Sequence, residues 1–252
     1  MRFGIFLISL KEDNARRDKL KFRFKNSYKN FKFIDAIDGS KLQTNQYFLY
    51  ALKSFKLNNL FLSPAEIGCC LSHMKAYDEF INSDLDYALI LEDDVIGDDD
   101  SIKLAFEHVK YIDNKSVFIC GCQDGLEGRF SAFGKKIQDN FYLVSKHSHS
   151  SIYRATAYIL SKNSAKQILK VHQDALYPAD FWSCLLKKAD LNMYFSDIFA
   201  HPLDLSDSKI QSSRASRGYD KKNILSYLKS LRYIFLTRMD VLFKGFERIF
   251  KR

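Results

Sequence analysis

Glu92, Asp93 and Asp94 are three consecutive carboxylates set directly after the apolar run Tyr87-Ala88-Leu89-Ile90-Leu91. Carboxylates beside a buried segment are costly unless they are paired or bound to a cation. Mg²⁺ and Mn²⁺ take oxygen ligands and commonly join one or two carboxylates to the phosphates of a substrate. On an extended chain Glu92 and Asp94 project one way and Asp93 the other. An acid-x-acid pair at the end of a strand therefore suits a grip on a metal-bound diphosphate. An isolated acidic triplet is more often a solvated loop, and it is the buried strand before this one that favours chemistry.

Other residues offer chemistry with less support. His73 lies on the flank of a helix, where a lone histidine is more often structural, although Glu66 and Ser72 make its surroundings polar. Asp180, in Tyr177-Pro178-Ala179-Asp180-Phe181-Trp182, is either the N-cap of an aromatic-rich helix or a general base for an acceptor hydroxyl. His201, before Pro202, is a metal ligand or a loop residue. His147-Ser148-His149 could bind metal but reads more simply as a solvated loop. Ser206-Asp207-Ser208-Lys209-Ile210, with Arg214 and Arg217 beyond, supplies hydroxyls and cations for phosphates, or an ordinary linker.

The elements that must position these groups read as alternating strands and helices. Ile5-Phe6-Leu7-Ile8 is a buried strand ending at Ser9-Leu10, and Phe31-Lys32-Phe33-Ile34 is a second, stopping at the turn-rich Asp35-Ala36-Ile37-Asp38-Gly39. Ser63, Pro64 and Glu66 spell a helix start, with an N-cap, a proline at the first position and a capping box. That helix should run to about Asn82, with Ile67, Leu71, Met74 and Ile81 as its core stripe and Glu66, Cys70, His73 and Tyr77 on the adjacent one. The run 87–91 is apolar throughout, so both faces of its strand should be covered. A helix should follow from Ser101, with Asp98, Asp99 and Asp100 at its positive end. Val117–Cys120 and Thr156–Leu160 read as further buried strands, and Ser161 as the cap of a helix to about His172. This alternation predicts an α/β fold with a mostly parallel, twisted central sheet. Ligands of such sheets gather at the carboxyl ends of the strands, where the acidic triplet falls.

Composition bounds the rest. A chain of 252 residues, 46% hydrophobic and 27% charged, with three prolines and ten glycines, is a globular α/β domain with perhaps an extension. The net charge is +9, but residues 221–252 hold nine Lys/Arg against two Asp/Glu, leaving +2 for residues 1–220. A nearly neutral main domain argues against a nucleic-acid binder. The tail carries Ile224, Leu228, Leu231, Phe235, Met239, Leu242, Phe246 and Ile249 at helical spacing among its cations, as a basic amphipathic helix or helix pair would. It should lie on an anionic membrane surface or pack on the domain or another subunit. The opening residues lack a secretory apolar region and nothing is long enough to span a bilayer. The five cysteines, including vicinal Cys69-Cys70 and the pair Cys120/Cys122, suit neither a zinc site nor a disulfide framework and read as reduced thiols.

Six segments in order carry a resemblance to a known family. They are Phe33-Ile34-Asp35-Ala36-Ile37-Asp38-Gly39, Glu66-Ile67-Gly68-Cys69-Cys70-Leu71-Ser72-His73, Leu89-Ile90-Leu91-Glu92-Asp93-Asp94-Val95, Ala157-Tyr158-Ile159-Leu160-Ser161, Pro178-Ala179-Asp180 and Ser208-Lys209-Ile210. Together they resemble glycosyltransferase family 25, the lipooligosaccharide galactosyltransferase-like family. In place of the family's usual Asp-Arg pair stands Asn14-Ala15-Arg16-Arg17-Asp18, so Arg16 or Arg17 must substitute. The resemblance implies a GT-A-type, Rossmann-like catalytic domain over residues 1–215, with the basic helical extension over 216–252. It implies inverting transfer of a sugar, often galactose, from a UDP-sugar with Mn²⁺ or Mg²⁺. Glu92, Asp94 and His201 are then the expected metal ligands, Asp180 the expected base, and Asp93 a supporting catalytic carboxylate. Ser9, Leu10, Arg16, Asp35, Ala36, Asp38, Ser72, His73 and Ser208 are the expected contacts to the nucleotide. The acceptor would be a lipid-linked oligosaccharide at the cytoplasmic face of a bacterial inner membrane, reached by a peripheral protein through its tail.

Two other readings compete. A non-catalytic glycan- or membrane-binding protein on the same fold would be expected to have lost the acids, which stand intact. A nucleotidyltransferase would carry a glycine-rich loop after its first strand, and Ser9–Asp18 has no glycine.

Overall fold

The computed structural model describes residues 1–203 and 224–251. Ser208, with Ser206, Asp207, Lys209, Ile210, Arg214 and Arg217, lies outside the described residues. In chain order the elements are β1 (Phe3–Ser9), α1 (Asn14–Arg23), β2 (Phe31–Asp35), α2 (Thr44–Asn58), α3 (Pro64–Ile81), β3 (Tyr87–Glu92), α4 (Asp99–His108), β4 (Ser116–Gly121), β5 (Phe133–Gln138), β6 (Phe141–Val144), β7 (Ala157–Ser161), α5 (Lys162–Asp174), α6 (Trp182–Ala189), β8 (Asn192–Phe199), α7 (Ile224–Lys244) and β9 (Glu247–Arg248).

One sheet runs through the molecule in the order β2-β1-β3-β7-β4-β8-β6-β5-β9. From the pairings, β2, β1, β3, β4, β8 and β5 share one direction, while β7, β6 and β9 run against it. This is the mixed, mostly parallel α/β sheet that the alternation of strands and helices predicted.

The continuous apolar runs have a simple cause. Side chains alternate across a strand, so a strand covered on both faces must be apolar at every position. Ala88 and Ile90 of β3 join Phe6, Ile8, Val117, Ile119, Tyr158 and Leu160 in a core beneath α3, α5 and α6. Leu89 and Leu91 join Ile5, Leu7, Phe118, Cys120 and Ile159 in a second core that takes in Leu20 of α1 and Ile102 and Ala105 of α4.

Local signals set the helix boundaries. In α3 the Ser63 hydroxyl accepts from the Glu66 amide, the Glu66 carboxylate accepts from the Ser63 amide, and Asn82 closes the other end. The buried stripe differs from expectation. Ile67 is buried as expected, and so are Glu66, Cys70, His73 and Tyr77 of the adjacent stripe, whereas Leu71, Met74 and Ile81 are only partly so. Helix α3 is wedged between the sheet, α5 and the loop after β2, so its polar stripe is the one turned inward. Helix α4 begins at Asp99 with Asp98 as its N-cap, two residues ahead of the expected Ser101, which instead completes the capping box. Ser161 caps α5 as anticipated. Asp180 does not cap α6; Phe181 holds that position.

Two glycines bring the loop after β2 against α3. A Cβ on Gly68 would stand 2.5 Å from both the Gly39 nitrogen and the Ile37 oxygen, and one on Gly39 would stand 1.7 Å from the Pro64 oxygen. Only hydrogen at both positions lets backbone meet backbone there.

The tail rejoins the domain. Strand β9 pairs with β5, the Ile249 amide donates to the Ala132 carbonyl at 3.1 Å, and the Ser145 hydroxyl donates to Asp240 at 2.6 Å. The expected amphipathic stripe is corrected in two ways. The helix stops at Lys244 before Gly245, which has a φ of 70°, so Phe246 and Ile249 are not on it. On its described part Thr237 and Asp240 face the domain, while Phe235 and Leu242 are exposed. Among the described residues no helix is long and apolar enough to cross a membrane.

Candidate active site

Strand direction decides where the polar groups collect. Strands β1, β2, β3 and β8 all end at one edge of the sheet, and the antiparallel β7 begins there, with Leu91 facing Ala157 across the pair. That edge holds a cleft of about 550 Å³ lined by Ser9, Leu10, Glu12, Asp13, Arg16, Ala36, Asp38, Gly39, Lys41, Cys69, Ser72, His73, Glu92, Asp93 and Asp94, with Ile8, Ile37 and Ala65 completing it. A cleft of this size at strand carboxyl ends is the ordinary site for a nucleotide-sized ligand.

The triplet is not an extended acid-x-acid strand. Strand β3 ends at Glu92, and the Val95 amide donates back to the Glu92 carbonyl at 3.2 Å, closing a turn over Asp93 and Asp94. All three carboxylates thereby line one cleft, each with a different partner.

Asp93 is held by Arg16, whose guanidinium donates to it at 2.8 Å. Burial raises the Asp93 pKa, against the hydrogen bonds from Arg16 and Ser9 that lower it. Burial also weakens Arg16 as a cation, but the bond to Asp93 and the charges of Asp93, Asp94 and Asp13 outweigh it, and its pKa ends raised. Arg16 is thus the arginine that faces the cleft. Arg17 instead donates to the Leu10 and Lys11 carbonyls and the Ser9 hydroxyl, bracing the loop after β1.

Glu92 is held from three sides. His73 Nε2 lies 3.1 Å from Oε1, the Thr156 hydroxyl donates to Oε2 at 3.1 Å, and the Cys69 thiol approaches Oε1 at 3.9 Å. Behind His73, Nδ1 meets the Tyr158 hydroxyl at 2.6 Å, and Tyr158 meets the Tyr77 hydroxyl at 2.8 Å. Burial keeps both phenols neutral by raising their pKa values far above the ordinary tyrosine value. One proton arrangement satisfies every group: Tyr77 donates to Tyr158, Tyr158 to Nδ1, and Nε2–H to the carboxylate. The buried histidine is therefore a fixed support for a carboxylate that faces the cleft.

Asp94 is the least satisfied of the three. Its Oδ2 lies 3.3 Å from His201 Nε2, while its Oδ1 is buried with no hydrogen-bond partner among the described residues. A two-residue bridge makes the pairing, with the Ile96 amide donating to the Ala200 carbonyl at 2.9 Å and the Ala200 amide to Ile96 at 2.8 Å. The Pro202 carbonyl lies 2.8 Å from His201 Nδ1 and sets the ring. A bare buried carboxylate oxygen next to an imidazole nitrogen is a donor set that fits a divalent metal ion. Cys69, His73 and Glu92 also bring ligand atoms within 4.8 Å of one another, but with a thiol among them they suit a softer ion.

The remaining expected residues divide. Ser9, Leu10, Ala36, Asp38, Ser72 and His73 line the cleft, and Asp35 does not. Ser72 is structural as well, since its hydroxyl accepts from the Ile37 amide at 2.8 Å and donates to the Gly68 carbonyl at 2.7 Å. Asp180 is not in the lining. It lies close enough to Arg154 to raise that guanidinium's pKa, as Asp94 does, although burial of Arg154 prevails and lowers it. His147 and His149 lie away from the cleft, with His149 buried and His147 beside Tyr233.

Several site residues gave no signal in the sequence. Thr156 precedes a strand, Tyr158 sits within an apolar run, and Cys69 looked like an ordinary buried thiol. Arg154 has a left-handed φ of 59° and donates to the Cys122 and Asp124 carbonyls at 2.7 and 2.8 Å. Nothing in its neighbours marks that conformation.

A profile of the family described as "Glycosyltransferase family 25 (LPS biosynthesis protein)" matches residues 3–183. Procollagen galactosyltransferase 2 of Mus musculus is 34% identical over 101 residues, covering 36% of this chain and 15% of that protein. The match thus spans a small part of the relative's length. The lipooligosaccharide biosynthesis protein lic2B of Haemophilus influenzae is 28% identical over 177 residues, 65% of this chain and 61% of its own. Among solved structures, a Drosophila beta-1,4-galactosyltransferase 7 mutant in complex with manganese, UDP-Gal and xylobiose aligns over 88% of this chain and 82% of that one. Its TM-score is 0.42 and its identity 13%.

Proposed function

The chain belongs to glycosyltransferase family 25, and on that premise we propose that it transfers a sugar, galactose in the first instance, from a UDP-sugar to a hydroxyl of a lipooligosaccharide glycan, with inversion and with a divalent metal ion. The observation that carries the reading is the charge of the cleft. Its lining holds six carboxylates (Glu12, Asp13, Asp38, Glu92, Asp93 and Asp94) against the cations Arg16 and Lys41. Lys41 is already paired with Glu12 at 2.6 Å, and Arg16 with Asp93. A bare diphosphate would be repelled there, whereas one accompanied by a divalent cation is neutralised.

Asp94 and His201 would hold the ion, with Mn²⁺ the best match to one carboxylate oxygen and one imidazole nitrogen. The ion, when bound, would offset the charge that develops on the leaving diphosphate. Glu92, both of whose oxygens carry protein donors, fits a fixed carboxylate better than a third ligand. Arg16 keeps Asp93 charge-paired, while its Nε lies 3.3 Å from Asp13 Oδ2. The loop ends at Ser9-Leu10 and Ala36–Asp38 would flank the nucleoside. Inversion needs one in-line displacement, with a carboxylate removing the acceptor proton. Asp180 is our proposed base if the acceptor enters from the Arg154 side. Glu92 is the alternative, favoured by its presence in the cleft wall. The protein would act at the cytoplasmic face of the inner membrane, where such an acceptor is assembled.

A panel of UDP-sugars with a lipooligosaccharide acceptor, assayed with Mn²⁺ and with chelator, tests the reading through UDP release. Metal-dependent release with one donor supports it. Equal release with chelator would remove the metal, and no release from any donor would return the protein to a binding role.

A further inference from the structure

Helix α2 has apolar side chains on its outward face as well as its inward one. Inward, Ala51 and Ser54 are buried, the Ser54 hydroxyl donates to the Leu176 carbonyl at 2.7 Å, and Asn58 donates to the same oxygen at 3.1 Å. Outward, Phe48, Leu52 and Phe55 follow one another at i, i+4 and i+7, with Leu49 beside them. All four are exposed, at 48%, 55%, 51% and 69%. Phe61, 51% exposed, extends the patch by meeting the Phe55 ring. A helix on a water-facing surface ordinarily turns charged groups outward, and a contiguous apolar patch marks a surface that meets something else.

Charge identifies what it meets. From Gly39 to Ala65 the chain contains no Asp or Glu, and its charged residues are Lys53 and Lys56 on α2 and Lys41 before it, which pairs with Glu12. An apolar stripe flanked by lysines, with no acid in the segment, complements a surface that is apolar within and anionic at its rim. A second copy of the same face would set lysine against lysine. Position adds to this. Gly39 and Ala65, the two ends of the segment, both line the cleft, so α2 is an excursion that leaves the rim of the site and returns to it.

We infer that the outward face of α2 seats in the interfacial layer of an anionic lipid bilayer, holding the mouth of the cleft next to that surface. This deepens the reading of the acceptor as lipid-linked, and it moves the membrane contact from the C-terminal extension to the rim of the site.

The test uses the full chain and vesicles of phosphatidylcholine with or without phosphatidylglycerol. The triple variant Phe48→Ser/Leu49→Ser/Leu52→Ser should lose at least about tenfold in partition to the anionic vesicles. Its melting temperature and its transfer to a delipidated, soluble acceptor should be unchanged. Phe235→Ser/Leu242→Ser, on the exposed face of α7, should partition like the parent. Leu52→Trp adds a fluorophore to a protein whose one tryptophan, Trp182, is buried, and brominated lipid should quench the added emission. Parent-like partition of the triple variant overturns the inference. So does a parent protein that ignores anionic vesicles but forms a dimer split by the same substitutions. Either result leaves the transfer assay intact, so this inference can fail without the proposed activity failing.

Discussion

His201 Nε2 lies 3.3 Å from Asp94 Oδ2, joining the end of β8 to the turn after β3, while the other oxygen of Asp94 is buried without a partner among the described residues. An orphaned carboxylate oxygen costs stability in the absence of a cation. Asp94→Ala should therefore leave the metal-free melting temperature unchanged or raised, while kcat for UDP release falls by about 10²-fold or more. His201→Ala should weaken the affinity for Mn²⁺ by about 10- to 100-fold, with turnover partly recovered at high metal. Turnover titrated with Mn²⁺ checks both, and an unshifted curve in His201→Ala would take the histidine out of the metal site.

His73 should matter to both stability and rate. His73→Phe removes the donor to Glu92 and the partner of Tyr158. Leaving those groups unpaired should cost about 1–3 kcal/mol in chemical denaturation. Turnover should fall at saturating donor because Glu92 loses its orientation. Unfolding curves that superimpose with the parent's would show that the Tyr77–Tyr158–His73–Glu92 chain bears no weight.

Asp180 and Glu92 can be separated as bases. If Asp180 takes the proton, Asp180→Asn should reduce kcat by about 10²- to 10⁴-fold while donor KM holds, and Glu92→Gln should retain more activity. The reverse order assigns the base to Glu92. Single-turnover rates across pH in the two variants make the comparison.

Gly68→Ala should disturb the cleft from outside it. The added Cβ would stand 2.5 Å from the Gly39 nitrogen and the Ile37 oxygen, both backbone, so the loop has to move. A loss of about 1–3 kcal/mol should accompany a raised donor KM, since Ala36–Gly39 line the cleft. An unaltered KM would mean that this wall does not touch the donor.

Two buried histidines should make the protein acid-sensitive. Burial lowers the pKa of His172 to about 3, helped by His73, and that of His149 to about 4, helped by Lys146 and His147. Both folded values lie below the ordinary 6.5 of an unperturbed histidine. Their contribution is thus whole above pH 6.5 and lost as pH falls toward the folded values. Each should cost about 1.4 kcal/mol per pH unit across that window. Neither ring nitrogen of His172 has a partner among the described residues, so His172→Phe should flatten the decline in thermal stability between pH 6 and 4, a window set by those two values. A decline as steep as the parent's would assign acid sensitivity to other groups.

Much of the frame was legible in the residues alone. Ser63, Pro64 and Glu66 start α3 because capping satisfies amides within one turn. The run 87–91 is a two-faced strand because side chains alternate and both sides are covered. The acids after it had to fall at a strand end. These are local relations, settled by neighbours a few positions apart.

What each acid does was decided elsewhere. Asp93 meets Arg16, Glu92 meets His73 and Thr156, and Asp94 meets His201 only because β1, β3, β7 and β8 bring their ends to one edge. The alternation that would have paired Glu92 with Asp94 fails because the chain turns at Asp93. The inward face of α3 departs from its hydrophobic pattern for the same reason. Hydrophobicity marked Leu71 and Met74 for the core, but the loop held by Gly39 and Gly68 and the packing of α5 turn the polar stripe inward. A sequence determines which segments need cover and where charge must surface. Which partners meet at a strand end depends on the order of strands in the sheet, and that order is a property of the whole core.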